Sequence, residues 1–148
     1  MDKIGFRALN QGEIYFDNVK VPLNHLLAGP DKYAEMVDHT LAEANIHVGN
    51  LSVGLARAAY EHALSYAHER KQGGIAIIHH QNVRHRLFHM FRKVEAARAL
   101  TRRAAEYNAT APQPALQGSI SAKITGTQTA FEVASDALQL FGANGLTK

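Results

Sequence analysis

The chain has no cysteine and no tryptophan, and only four prolines in 148 residues. Without cysteine there are no disulfides, no thiolate nucleophile and no thiolate metal site. That absence fits a reducing compartment. No apolar run approaches 18 residues, so no membrane span is expected. The N-terminus, Met1-Asp2-Lys3-Ile4-Gly5, has neither a charged n-region nor an apolar h-region, so it does not read as a signal peptide. No Gly-x-Ser-x-Gly elbow, Gly-x-Gly-x-x-Gly turn or phosphate-loop glycine pattern occurs. The self-announcing nucleophile and nucleotide motifs are therefore excluded.

What is present is apolar and periodic. Hydrophobic residues make up 46% of the chain, which excludes disorder and predicts one domain. Residues 1–29 read differently from the rest. Glu13 to Pro22 is rich in strand formers, with Val19 and Val21 alternating against Asn18 and Lys20, and Asp17-Asn18 is a turn signal. One or two strands do not make a stable sheet. This short N-terminal β segment reads as the tail of a β-region whose other strands lie elsewhere. From residue 30 the pattern is helical, so the chain divides into 1–29 and 30–148.

The first helix is expected over 32–70 with Asp31 as N-cap. Its apolar stripe reads Val37, Leu41, Ala44, Val48, Leu51, Leu55 and Ala59, with Gly49 and Gly54 inside it. A second helix is expected over 81–108, with Val83, Leu87, Met90 or Phe91, Val94, Ala97 and Ala104 on one side. A third is expected over 114–140, with Ile120, Ile124, Phe131, Ala134, Leu138 and Phe141 apolar. Short connections make consecutive helices antiparallel. The fold class expected is mainly α: an antiparallel bundle of three long helices, of four-helix type with one member missing, so that self-association completes its core.

Candidate chemistry is sparse. His85 and His89 stand at i and i+4, but Arg86 occupies the place where a metalloprotease helix carries Glu, and no metal site is expected. Ser52, Ser65, Ser119 and Ser121 read as ordinary helix residues, and Glu43 and Glu69 as acids on a solvated face. From Arg84 to Arg103 seven cations face one acid, Glu95. A basic stripe is one mark of nucleic-acid binding, but the aromatic interleaving of single-strand binders is missing, and no nucleic-acid partner is expected. More telling is the corner Tyr66–Gln81, where two helical patterns meet at Gly73-Gly74 with Arg70, Lys71, His79 and His80 around the break. It reads as a capped helix end or as an anion site.

Four stretches carry a family resemblance. Phe16-Asp-Asn-Val-Lys-Val-Pro22 resembles the Phe-Asp-Asp-Val-x-Val-Pro at the end of the middle β-domain of acyl-CoA dehydrogenases. Val53-Gly-Leu-Ala-Arg-Ala-Ala59 resembles their Leu-Gly-x-Ala-x-x-Ala. Tyr66-Ala-His-Glu-Arg-Lys-Gln-Gly-Gly74, with Gln81 beyond, resembles Tyr-x-x-x-Arg-x-Gln-Phe-Gly and its later Gln. Ala137-Leu-Gln-Leu-Phe-Gly142 resembles Ala-x-Gln-x-x-Gly. The four follow the family's order across almost the whole chain.

The resemblance implies an FAD-dependent oxidoreductase of fatty acid metabolism acting on acyl-CoA thioesters. It implies an electron-transfer-flavoprotein-like acceptor and a homodimer or homotetramer. The compartment implied is the cytoplasm, or the mitochondrial matrix in a eukaryote. It places Arg70 on the flavin diphosphate of the neighbouring subunit, with Gln72 in the same segment. His80 and Gln81 fall toward the adenosine, and Gln139 and Gly142 meet the cofactor from the other copy. Against the family pattern, Gly73 replaces an aromatic, Ala143 a glycine, and Asn45 an arginine near the acyl-CoA pocket. Glu43 is one residue from a position where some members carry the catalytic Glu. The commoner catalytic Glu is expected beyond residue 148, so these residues are expected to be inactive alone. The alternative is a non-catalytic dimerisation module of the same fold that has lost flavin.

Overall fold

The computed structural model describes residues 3–147. Three helices dominate: α1 (Tyr33–Glu69), α2 (Gln81–Thr110) and α3 (Leu116–Phe141). Between α1 and α2 lies a two-residue hairpin, β1 (Lys71–Gln72) with β2 (Ile75–Ala76). Short 3-10 turns lie at Leu23–His25, Ile77–His79 and Gly142–Leu146. Consecutive helices are antiparallel, so α1 and α3 run parallel. Gly49 meets Gly126 near one end of that pair, and Tyr66 meets Phe141 near the other.

The seams are written in small residues. On α1 the buried positions are Ala42, Ile46, Gly49, Val53, Ala56, Ala63 and Ala67, spaced by three, four or seven residues. On α2 they are Leu87, Met90, Val94, Ala97, Thr101 and Ala104, and on α3 Ser119, Ala122, Gly126, Thr129, Ala130, Val133 and Ala137. Such stepping keeps one narrow face on a neighbour along a whole helix. Alanine and glycine there let the backbones approach. A Cβ on Gly126 would lie 2.9 Å from the Gly49 carbonyl oxygen, inside any real contact.

The α2 stripe expected from sequence is the buried one. The stripes expected on α1 and α3 are not. Leu41, Val48, Leu51 and Leu55 are exposed on α1, and Ile120, Ile124, Phe131 and Leu138 on α3. The large apolar residues were the misleading signal. In a tightly crossed helix pair the seam takes small side chains, and the large ones lie on the flank.

Two further expectations are corrected. Asp31 is not the N-cap of α1. Lys32 holds that place, without a side-chain bond, after a turn closed by the Lys32 N–H to the Gly29 carbonyl at 3.0 Å. Residues 13–22 form no strand, and Val19 and Val21 are exposed. A strand exists only through its ladder partner, and none is at hand here. The turn signal at Asp17-Asn18 holds, with Asn18 at φ 49°.

The α2–α3 turn is locked by Asn108. Its Oδ1 accepts the Ala115 N–H at 3.0 Å, and its Nδ2 donates to the Ser119 hydroxyl at 2.9 Å. Ser119 is fully buried, and its hydroxyl donates in turn to the Ala115 carbonyl at 3.2 Å. Asn108→Ala leaves the Ala115 N–H without its acceptor and the buried Ser119 hydroxyl without its donor. It is expected to cost about 1–2 kcal/mol in a urea melt, the usual range for unmaking such bonds. A melt unchanged from the parent would show that the turn holds without it.

Candidate functional site

The corner begins at the end of α1. Arg70 leaves the helix in an extended conformation, its N–H capping the Tyr66 carbonyl at 2.8 Å. The chain then reverses in two residues. Gly73 (φ 62°) and Gly74 (φ 84°) both occupy the left-handed region, as a two-residue hairpin turn of type I′ requires. Lys71 pairs with Ala76 and Gln72 with Ile75. The Ile77 N–H extends the ladder to the Arg70 carbonyl at 2.8 Å. Ile77 is buried in the core, and so anchors the hairpin to the bundle.

This hairpin was not expected from sequence, although Gly-Gly between two short extended pairs is its signature. It also gives Gly73 a backbone reason to be glycine. Open space surrounds its Cα, with only the His80 ring edge 3.9 Å from an added Cβ.

The end of α3 closes the other side. Gly142 turns the chain at φ 60° and ψ −133°, a region that side chains disfavour. Gly145 then packs back on α3, where an added Cβ would lie 2.8 Å from the Leu138 carbonyl oxygen. Arg70, Gln72, Gln139 and Gly142 thus line a single groove of about 340 Å³, with Tyr66 and Asn144 beside them. One chain presents all four together. No carboxylate lines this groove, and Arg70 has no ion-pair partner among the described residues.

His80 and Gln81 stand apart from that groove. They open a broad, shallow depression of about 1230 Å³ along α2, shared with Arg84, His85, Arg86 and Lys93. His80 touches the first group through its Nε2, 3.2 Å from the Gln72 carbonyl oxygen. The basic stripe of α2 is partly spent on the fold. Arg86 binds Asp136 at 2.8 Å and Lys93 binds Glu132 at 2.7 Å, both across to α3.

The weaker candidates are accounted for locally. Glu43 lies 3.8 Å from His39, and Glu69 accepts from the Ser65 hydroxyl at 3.1 Å. Ser52 donates to the Val48 carbonyl, and Asn45 to the Leu41 carbonyl. Asn45 and Glu43 sit on the first half of α1, about 37–40 Å of helix away from Arg70. His85 and His89 stack edge to face at 4.4 Å, and no group of three metal-ligating side chains occurs among the described residues. No helix among them is long and apolar enough to cross a membrane.

Comparison with known proteins follows the same outline. The family model for the acyl-CoA dehydrogenase C-terminal domain matches residues 34–148. A probable acyl-CoA dehydrogenase of Bacillus subtilis, YngJ, is 33% identical over 150 residues, covering 99% of this chain and 38% of that protein. The structure of butyryl-CoA dehydrogenase from Megasphaera elsdenii superposes with a TM-score of 0.84 at 30% identity, covering 89% of this chain and 34% of that one. A structure described as the electron transferring flavoprotein of Acidaminococcus fermentans superposes at 0.83 and 32% identity, again over 89% and 34%. The chain therefore spans well under half the length of these relatives.

Proposed function

From the premise that this chain belongs to the acyl-CoA dehydrogenase family, shown by its match over residues 34–148, we propose that it forms the diphosphate-binding wall of an FAD site. The full enzyme would be an α,β-dehydrogenase of acyl-CoA thioesters in fatty acid metabolism. One observation carries the reading: Arg70, Gln72, Gln139 and Gly142 converge on one groove that no carboxylate lines among the described residues. A diphosphate needs fixed positive charge, amide donors and close backbone approach. The Arg70 guanidinium supplies a planar fork of donors that matches phosphate oxygens. Gln72 and Gln139 offer side-chain amides, and Gly142 leaves the backbone uncovered. His80 and Gln81, at the head of the neighbouring depression, would take the adenosine.

A bound FAD would supply the capacity to take up a hydride, and the base for the α-proton would come from outside these residues. This chain's share is binding and orientation. Residues 30–148 are the helical C-terminal domain in this reading, and residues 1–29 the end of the β-domain and its linker. The exposed valine and tyrosine side chains of that segment fit a strand awaiting its sheet. The unpartnered leucine and isoleucine faces of α1 and α3 fit a homodimer or homotetramer, with Arg70 reaching a neighbour's cofactor. The acceptor of electrons would be an electron-transfer-flavoprotein-like protein. The setting would be the cytoplasm, or the mitochondrial matrix in a eukaryote.

The test is to titrate the purified chain with FAD and then offer it an acyl-CoA with an artificial electron acceptor. The expected result is quenched flavin fluorescence on a dimer or tetramer, and no turnover. Turnover would contradict the division of labour. An assembled chain that ignores FAD would establish instead the non-catalytic dimerisation module, the reading that the missing aromatic at Gly73 favours.

A further inference from the structure

Tyr66 joins the two walls of the groove. Its carbonyl accepts the Arg70 N–H at 2.8 Å, one turn further along α1. Its side chain reaches the opposite wall. The ring lies 4.4 Å from the Phe141 ring, the hydroxyl accepts a hydrogen bond from Asn144 Nδ2 at 3.0 Å, and it donates to the Phe141 carbonyl at 3.5 Å. Phe141 and Asn144 bracket Gly142 and Ala143. The turn they bracket needs such a hold. It begins at a left-handed glycine and consists of one 3-10 stretch, Gly142–Leu146, with no buried residue. A short exposed segment with few packed side chains opens at low free energy.

We infer that Tyr66 is a positioning residue of the cofactor site, acting with Asn144 as a strut that sets the spacing between Arg70 and the Gly142 turn. The inference rests on the FAD reading above and extends it to two further residues at the groove's edge, which act on its shape and not on the diphosphate. Its physical content is preorganisation. A groove whose walls are already at the right spacing loses less freedom when a ligand enters. The strut contributes affinity without offering a charge to the diphosphate.

The test compares Tyr66→Phe, Asn144→Ala and the double variant with the parent chain. Tyr66→Phe keeps the ring packing on Phe141 and removes only the hydroxyl. FAD affinity is measured by flavin fluorescence, fold stability by thermal melting, and amide hydrogen exchange is followed without FAD. Each single variant is expected to weaken FAD binding about fivefold, with the double variant no worse than either, because both break the same link. Exchange should quicken at residues 142–146 and stay unchanged along α2, with the melting temperature nearly constant. Parent-like FAD affinity in Tyr66→Phe, beside weakened binding in Arg70→Ala, would overturn the strut and leave the flavin reading standing. A uniform fall in stability and exchange protection would reduce Tyr66 to a core residue and also overturn it. An unmodified chain with no FAD affinity would overturn both.

Discussion

Gly126→Val should destabilise the chain by about 3 kcal/mol or more, while Gly54→Ala, the loss of a helix glycine on the packed neighbour, should stabilise it by about 0.5–1 kcal/mol. The difference lies in what the new carbon meets. At Gly126 a Cβ would stand 2.9 Å from the Gly49 carbonyl oxygen and 3.2 Å from the Gly49 Cα. Both are backbone atoms of α1, so no side chain can swing aside, and the helices must separate. Separation opens the seam on either side, between Ala42, Val53 and Ala56 and their partners. Overpacking a close contact costs about 1–3 kcal/mol, and valine's two further methyl groups put this site at or above the top of that range. The gain from removing a helix-interior glycine is only about 0.5 kcal/mol for a β-branched replacement and offsets little of it. At Gly54 an added Cβ meets nothing within 4 Å, so the gain from losing the glycine is all that remains. Thermal melts followed by circular dichroism should show a drop of about 10 °C for the first and a small rise for the second. A Gly126→Val chain that melts with the parent would mean that α1 and α3 do not cross this closely.

The same pair of glycines shows how the sequence was legible and where it misled. Helix existence and order could be read from three- and four-residue periodicity, and the structure bounds each helix within two residues of expectation. On α2 the face could be read as well, because Leu87, Met90 and Val94 are the core, although Phe88, Phe91 and Tyr107 lie outside it. On α1 and α3 two periodic stripes coexist, one of alanine and glycine and one of leucine, isoleucine and phenylalanine. Hydrophobicity ranks the second higher, and burial chooses the first. Side-chain size, not apolarity, decides which stripe forms a close helix crossing, and that choice depends on the partner helix. Motif resemblance points to Arg70, Gln72, Gln139 and Gly142 as candidate site residues. Their meeting in one groove depends on α1 and α3 being parallel, which follows from three helices joined by two short turns. Tyr66 and Asn144 were not singled out as a pair, because a contact between residues 78 apart leaves no local pattern.

Arg70→Ala should weaken FAD binding by about ten- to a hundredfold and leave the fold intact, whereas Arg70→Lys should fall between it and the parent. The side chain is exposed, and the helix end is capped by the backbone N–H of residue 70, not by the guanidinium. Truncation therefore removes no structural bond, and the stability change should stay within about 0.5 kcal/mol. Binding is another matter. A hydrogen bond to a charged partner contributes about 1.5–3 kcal/mol, and a diphosphate left without its cation forfeits that amount. Lysine restores the charge but not the planar fork, so one of two parallel bonds is lost. The ordering parent, lysine, alanine is what separates bidentate recognition from plain charge attraction, in which lysine would equal arginine. Raising the salt concentration should narrow all three differences, because the groove is open to solvent and its charges are screened. Equal FAD affinity in all three chains would remove Arg70 from the site. The groove, free of carboxylates among the described residues, would then have to be explained by a ligand that makes no use of Arg70.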